Sequence, residues 1–146
     1  MRGTAGHRLL ITWPRGLVRR GLTGGARLMG AGLLVAIGLV HLVLAPVYYG
    51  AAAYVGVLFY LTCAAAWTTA VAVVAGVRGA WLLGGLIAAG ALTALVASVT
   101  VGLPGFTDSL SAPWAMLSLL LEGAFVAVYV GLALLRRNLV LEPDRR

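Results

Sequence analysis

Fifty consecutive residues, from Leu28 to Val77, contain no Lys, Arg, Asp or Glu. About 20 apolar residues are enough to cross the hydrocarbon core of a bilayer, so this segment predicts two spans joined by a turn. Two further segments have the same character: 79-107 is uncharged, and 114-135 is interrupted only by Glu122. The pattern therefore predicts an all-α fold, a bundle of four transmembrane helices that run alternately up and down.

The predicted spans divide the chain into a membrane domain and two tails. We expect spans near residues 28-45, 54-77, 80-103 and 114-135. A basic tail (1-27) precedes this transmembrane domain (28-135), and a second tail (136-146) follows it. With 62% hydrophobic and 10% charged residues, the chain has too little polar sequence for a separate soluble domain. A signal peptide is an alternative interpretation of the first span. The apolar core of a signal peptide is only about 7 to 15 residues long, however, whereas the segment from Leu28 to Ala45 contains eighteen residues.

The distribution of arginine predicts the orientation. All eleven basic residues are Arg, and six of them precede the first span without any acidic residue among them. Arg78 lies between the second and third spans, and Arg136 and Arg137 follow the fourth. Basic residues next to a span stay on the cytoplasmic side, so both termini are predicted inside and the loops 46-54 and 104-113 outside. The arginines form no continuous face, so nucleic acid is not an expected partner.

The basic tail has two interpretations. Its mixture of apolar residues and arginines suits an interfacial anchor on anionic lipid. The alternative is a disordered tail that only enforces the topology. Pro14 and the pair Gly24 and Gly25 disfavour one long helix in this region.

Small residues in the third span predict a helix contact. Gly90, Ala94, Ser98 and Gly102 recur every four residues, which is typical of a helix face that packs closely against a neighbouring helix in a membrane. We call these four residues the small-residue stripe. The expected partners are the lipid bilayer and, through such faces, a second copy of the chain or a larger membrane complex.

Two ionisable residues lie at bilayer depth. Glu122 follows Trp114 by eight residues, or about 12 Å at the helical rise, and His41 lies about 7 to 8 Å from the outer end of the first span. An ionisable group at this depth costs about 2.5 to 3.5 kcal/mol and is normally turned inward and paired. Ser98 and Ser118 reach comparable depths. We therefore expect a polar cluster of His41, Ser98, Ser118 and Glu122 in the outer half of the bundle.

Three interpretations of this cluster remain open. The first is a structural clasp, in which Glu122 hydrogen-bonds His41 and Ser98 in a non-enzymatic accessory or interaction subunit. The second is a proton or cation relay in a small transporter subunit. The third makes His41 an axial ligand of haem or a metal, which requires two copies of the chain because the other histidine, His7, lies in the basic tail. Apart from this third interpretation, we expect no cofactor and no metal site.

No complete catalytic motif occurs in the chain. Cys63 is the single cysteine, and the sequence contains no His-Glu-x-x-His, Gly-x-Ser-x-Gly or phosphate-loop motif. We assign no catalytic residue, and an enzyme is the least favoured class. Small multidrug transporters also have four spans and one membrane glutamate, but theirs lies in the first helix, whereas Glu122 lies in the fourth.

Four segments resemble uncharacterised four-span membrane proteins of high-GC bacteria; they are residues 41-46, 54-59, 101-105 and 118-122. The likeness covers about residues 38 to 130. In those proteins an acidic residue often follows the first segment and a basic residue precedes the third, where this chain has Val47 and Val99. The resemblance implies a multi-pass protein of a bacterial inner membrane, and it implies no activity.

Overall fold

Four long helices make up the fold. The computed structural model describes the backbone of residues 15-141 and the side chains of residues 24-135 and of Arg137. The helices are α1 (Arg15–Ala51), α2 (Ala53–Ala75), α3 (Ala80–Thr100) and α4 (Pro113–Leu141), and residues 15-141 contain no strand. Each helix includes a stretch long and apolar enough to cross a membrane. The all-α, four-helix prediction is confirmed. The anchor and disordered interpretations of residues 1-14 lie outside the described residues.

Helix α1 is longer than the first predicted span. It continues through Gly24 and Gly25, where the sequence analysis disfavoured a long helix, and it includes Pro46 before it ends at Ala51. The apolar stretch of α1 alone covers 28 residues. Backbone hydrogen bonds have no water to compete with them in a bilayer, so transmembrane helices tolerate Gly and Pro that end helices in water.

The connection between α2 and α3 is a tight turn built on two glycines, Gly76 and Gly79, at φ values of 74° and 83°. The Gly76 N–H donates to the Val73 carbonyl and the Val77 N–H to the Ala72 carbonyl, which is the Schellman arrangement that closes a helix. We call this end of the bundle the turn end. The opposite end, with the α1–α2 connection at Ala52 and the loop 101-112, is the loop end.

The apolar core occupies the half of the bundle near the turn end. Helix α1 packs most extensively against α2, and α3 against α4. The largest buried side chains of this core are Leu34 and Ile37 from α1, Val73 from α2 and Phe125 from α4. Gly84 of α3 allows Phe125 to approach, because a Cβ at Gly84 would lie 2.7 Å from the Phe125 ring. Large apolar side chains also cover the outer surface, as lipid contact requires; among them are Leu61, Val71, Leu86, Leu120 and Val101.

The small-residue stripe is not the face through which α3 packs within the chain. Gly90 and Ala94 are exposed, Ser98 is buried, and Gly102 lies beyond the end of α3 with a φ of 78°. The reason is geometric: each four-residue step turns about 40° around a helix with 3.6 residues per turn, so Gly90 and Gly102 would differ by about 120°. The contacts of α3 instead come from the buried residues Gly84, Gly85 and Ala88. That the stripe packs against a second copy stays a prediction.

Candidate functional site

His41 of α1 and Glu122 of α4 face each other inside the bundle. The distance from His41 Nε2 to Glu122 Oε1 is 3.8 Å, and the two residues are only 6% and 1% exposed. This separation is too long for a direct hydrogen bond, but it suits an ion pair or a bridge through one water. The structure therefore brings together the two ionisable residues that the sequence places at similar depth.

The hydrogen bonding of His41 indicates which protonation states make its contact with Glu122 favourable. Its Nδ1 lies 2.9 Å from the Ile37 carbonyl oxygen, which can only accept, so Nδ1 carries a proton. In a neutral imidazole, Nε2 then presents a lone pair to Glu122. A lone pair facing a carboxylate is repulsive, so the contact is favourable only with one further proton, held either by Nε2 or by the carboxyl group. The geometry suits a pair that shares one proton.

The second carboxyl oxygen of Glu122 is unsatisfied. Among the described residues, Glu122 Oε2 and Thr69 Oγ1 are buried side-chain atoms without a hydrogen-bond partner. Such atoms are rare in native structures, because an unpaired buried polar group costs about 1 to 3 kcal/mol. Glu122 lines the cavity described next, and Thr69 does not line it. The unsatisfied oxygen of Glu122 therefore belongs to a residue of the cavity lining, although the atom itself is shielded.

This cavity has a volume of about 90 Å³ and lies between the His41–Glu122 pair and the loop end. All four helices and the loop 101-112 contribute to its lining. It reaches the surface of the bundle, where Leu58, Ala94 and Trp114 are exposed. A cavity of this size has room for several water molecules, and its mostly apolar lining includes a few polar side chains. The pair therefore borders a cavity on one side, although both residues are buried.

All four residues of the predicted polar cluster line this one cavity: His41, Ser98, Ser118 and Glu122. Their hydrogen bonds differ from those of the predicted clasp. The Ser98 hydroxyl donates to the Leu95 carbonyl of its own helix at 2.8 Å. Ser98 therefore contributes polarity to the lining, and the polar side-chain contact of Glu122 among the described residues is with His41.

Sequence patterns do not identify the residues that line the cavity at its loop end, which we call its mouth. The Tyr48 hydroxyl donates to Asp108 Oδ2 at 2.7 Å, which joins α1 to the loop 101-112. The Phe59 ring lies between Tyr48 and His41, with centroid distances of 4.5 and 4.7 Å, and Phe106 lies 5.4 Å from Tyr48 on another side. Tyr48 follows His41 by seven residues, or two helical turns, and this spacing places both side chains on the same face of α1. That spacing is the one sequence signal that could have pointed to Tyr48. Nothing local in the sequence places Asp108 or Phe106 beside it.

The charges of the bundle are segregated. The carboxyl groups of Asp108 and Glu122 both belong to the cavity lining, and no arginine does among the described residues. Arg27 and Arg78 lie at the turn end, with the Arg27 guanidinium beside Gly76. A positive group at the carboxyl end of α2 is favourable, because the last helical carbonyls carry partial negative charge. The cavity is thus an acidic region remote from the described arginines.

The haem interpretation depends on how His41 is placed. Because Nδ1 lies 2.9 Å from the Ile37 carbonyl oxygen, only Nε2 could coordinate an iron, and Nε2 lies 3.8 Å from Glu122 Oε1 inside the bundle. His41 is also too buried to reach a second copy of the chain. No group of three or more His, Cys, Asp or Glu residues that could hold a metal ion occurs in the described part. His7 lies outside it.

Comparisons with known proteins identify no relative: no family model matches the chain, and no curated protein and no solved structure matches it. The resemblance to four-span proteins of high-GC bacteria stays an expectation. The fold and the site define a small membrane protein with four apolar helices and a buried imidazole–carboxyl pair beneath a cavity. Its function has to be argued from that pair.

Proposed function

We propose that this protein is a multi-pass protein of a bacterial inner membrane, with both termini cytoplasmic, that binds and releases a proton at the His41–Glu122 pair. In this role it acts as the proton- or cation-coupled subunit of a small transporter. The observation that carries the proposal is the contact of His41 Nε2 with Glu122 Oε1, at 3.8 Å, at the inner end of a cavity.

The free-energy cost of burying two ionisable side chains in a membrane supports a function that uses them. Each ionisable side chain costs several kcal/mol at membrane depth, and apolar residues would pack α1 against α4 without that cost. A pair retained only for packing has no need of a cavity beside it. The cavity gives the shared proton a route for exchange with water.

Access to the pair is one-sided. Toward the loop end the cavity extends to Asp108, whereas toward the turn end the fully buried side chains of Leu34, Ile37 and Phe125 lie below the pair. A coupled transporter needs such a state, in which its central site is accessible from one side and sealed from the other. Release of the proton to the other side then requires a movement of α1 and α4, the helices that carry Leu34, Ile37 and Phe125.

Proton flux in proteoliposomes tests the proposal. Purified protein is reconstituted with a pH-sensitive dye inside the vesicles, and flux is driven by an imposed pH gradient and potential. Glu122→Gln keeps the shape of the side chain and a hydrogen-bonding amide but cannot exchange a proton, so it should abolish the flux. Thr93→Val, on the exposed surface of α3, is the matched control and should retain it. Equal flux from the wild type and Glu122→Gln would contradict the proposal.

A second candidate is the non-enzymatic accessory or interaction subunit. A specific observation favours it: Gly90 on α3 and Gly123 and Gly131 on α4 have open space where a Cβ would lie. In the span of α4, only Ala115, Glu122 and Phe125 are buried within the chain. Close helix contacts in membranes form through such small residues, so these faces suit a second copy or a partner protein.

Oligomeric state in lipid nanodiscs tests the second candidate. Gly123→Leu would fill the open position on α4, so it should shift a wild-type oligomer toward the monomer in native mass spectrometry. Val130→Leu, on an exposed part of the same helix, is the control. A wild type that is monomeric at every protein-to-lipid ratio would rule out a second copy of the chain as the partner.

A further inference from the structure

We infer that the cavity beside the His41–Glu122 pair binds a small organic cation of the ammonium class. This inference rests on the proposed function of the pair and names its coupled ligand. It depends on the unsatisfied oxygen of Glu122, on the aromatic rings of the lining and on the absence of arginine from that lining.

The first contact is with the Glu122 carboxyl group, whose Oε2 is buried and has no partner among the described residues. At the mouth, each oxygen of Asp108 already accepts one hydrogen bond, Oδ2 from the Tyr48 hydroxyl and Oδ1 from the Ser109 N–H at 2.8 Å. The acceptor without any partner thus lies at the deep end of the cavity. A ligand that donates N–H bonds and carries positive charge complements it.

The second contact is with aromatic rings. Tyr48, Phe59, Phe106 and Trp114 all line the cavity. Tyr48 and His41 cover the Phe59 ring, with centroid distances of 4.5 and 4.7 Å, whereas Trp114 is exposed and has no aromatic partner among the described residues. The faces of aromatic rings attract a cation within about 6 Å of the ring centre. A cation that enters from the loop end meets these rings before it reaches Glu122.

The lining discriminates against inorganic cations. Calcium takes about 6 to 8 oxygen ligands, and magnesium requires a near-ideal octahedron of oxygens. The described residues contain no cluster of three potential metal ligands, and much of the lining is apolar, including Leu44, Val55 and Leu103. An alkylammonium ion has an apolar body for such surfaces and a charged head for Glu122. The volume of about 90 Å³ favours ions with few carbon atoms.

Cation binding must displace the shared proton. An ammonium ion beside Glu122 requires the carboxylate, and it repels an imidazolium at His41. Whichever residue holds the proton therefore loses it to water, and no covalent bond of the ligand changes. The expected stoichiometry is one proton released for each cation bound.

Calorimetric titration of the full chain in nanodiscs with n-propylammonium tests the inference. n-Propanol is the neutral control of nearly the same shape, and sodium is the inorganic one. We expect saturable binding of n-propylammonium, with release of one proton shown by buffers of different ionisation enthalpy. Glu122→Gln should weaken this binding about 10- to 100-fold, which corresponds to the loss of a charged hydrogen bond. Trp114→Leu should weaken it several-fold, and Thr93→Val should leave it unchanged.

The outcomes separate the two proposals. Equal binding of n-propanol or sodium, or no binding of n-propylammonium to a folded protein that conducts protons, would overturn the ligand class and leave the proposed function in place. Binding of the cation without proton release would overturn the coupling. If Glu122→Gln does not fold, the Trp114→Leu variant decides between the outcomes, because unchanged affinity there would contradict the aromatic contact.

Discussion

The hydroxyl of Tyr48 donates a 2.7 Å hydrogen bond to Asp108 Oδ2 and so joins α1 to the loop at the mouth of the cavity. A second bond, from the Tyr54 hydroxyl to the Pro104 carbonyl at 2.9 Å, joins the start of α2 to the same loop. The loop 101-112 is thereby held over the cavity from two helices. Leu103, Phe106 and Asp108 of this loop line the cavity, together with His41 and Glu122.

Tyr48→Phe should loosen this loop. The variant keeps the ring that stacks on Phe59 but removes the donor, and we expect a loss of about 1 kcal/mol in stability together with faster hydrogen exchange in the loop. Asp108→Asn retains an acceptor oxygen and should show a smaller effect on both. Hydrogen exchange measured by mass spectrometry in nanodiscs compares the three proteins. Identical exchange in the wild type and Tyr48→Phe would show that the bond does not hold the loop.

Two glycines of α3 offer a matched test of the packing. A Cβ at Gly84 would lie 2.7 Å from the ring of Phe125, whereas a Cβ at Gly90 would meet open space. Both positions are helical, so the change in helix propensity is the same for each Gly→Ala substitution. Gly84→Ala should therefore be less stable than Gly90→Ala by about 1 to 3 kcal/mol, the usual cost of overpacking. Thermal unfolding in one detergent measures the difference, and equal stabilities would contradict the described α3–α4 contact.

The orientation can be tested with reporter fusions. Arg27 and Arg78 lie at the turn end, which the positive-inside rule places in the cytoplasm. A reporter fused after Arg146 should be cytoplasmic, and one inserted after Asp108 should be on the opposite side. Reporters on the same side would contradict the four-span topology.

The sequence predicted the helices and the pair for different reasons. Long uncharged segments leave few alternatives to transmembrane helices, because backbone polar groups must be satisfied internally in lipid. His41 and Glu122 could be paired in advance, since the cost of each in a membrane favours a partner at the same depth. Both arguments use one span at a time and need no knowledge of how the helices are rotated.

The features that the sequence did not predict depend on that rotation or on the path of a loop. The small-residue stripe was assigned as one face, but four-residue spacing turns steadily around the helix and carries Gly90 away from the face of Ser98. The contact of Tyr48 with Asp108 joins residues 60 positions apart through a loop without regular structure. The cavity is lined by residues of all four helices and of the loop 101-112, so no local sequence pattern predicts it.

The coupling between His41 and Glu122 can be measured by a double-mutant cycle. Removal of either residue leaves the other buried without its partner, so His41→Ala and Glu122→Ala should each be more destabilising than expected from the double variant. We expect a coupling energy of about 0.5 to 3 kcal/mol from unfolding in detergent. The pair Thr93→Ala and Glu122→Ala is the control and should be additive. Zero coupling for His41 and Glu122 would show that their contact contributes nothing to stability.

The most direct test of the central claim, that the pair shares one exchangeable proton, is infrared difference spectroscopy of the protein in nanodiscs across a pH titration. We expect a carboxyl signal that titrates with pH, disappears in Glu122→Gln and shifts in His41→Ala, with an uptake of one proton per chain. Asp108→Asn, at the mouth of the cavity, should leave that signal in place. A carboxyl signal that persists in Glu122→Gln, or a Glu122 signal indifferent to His41→Ala, would contradict it.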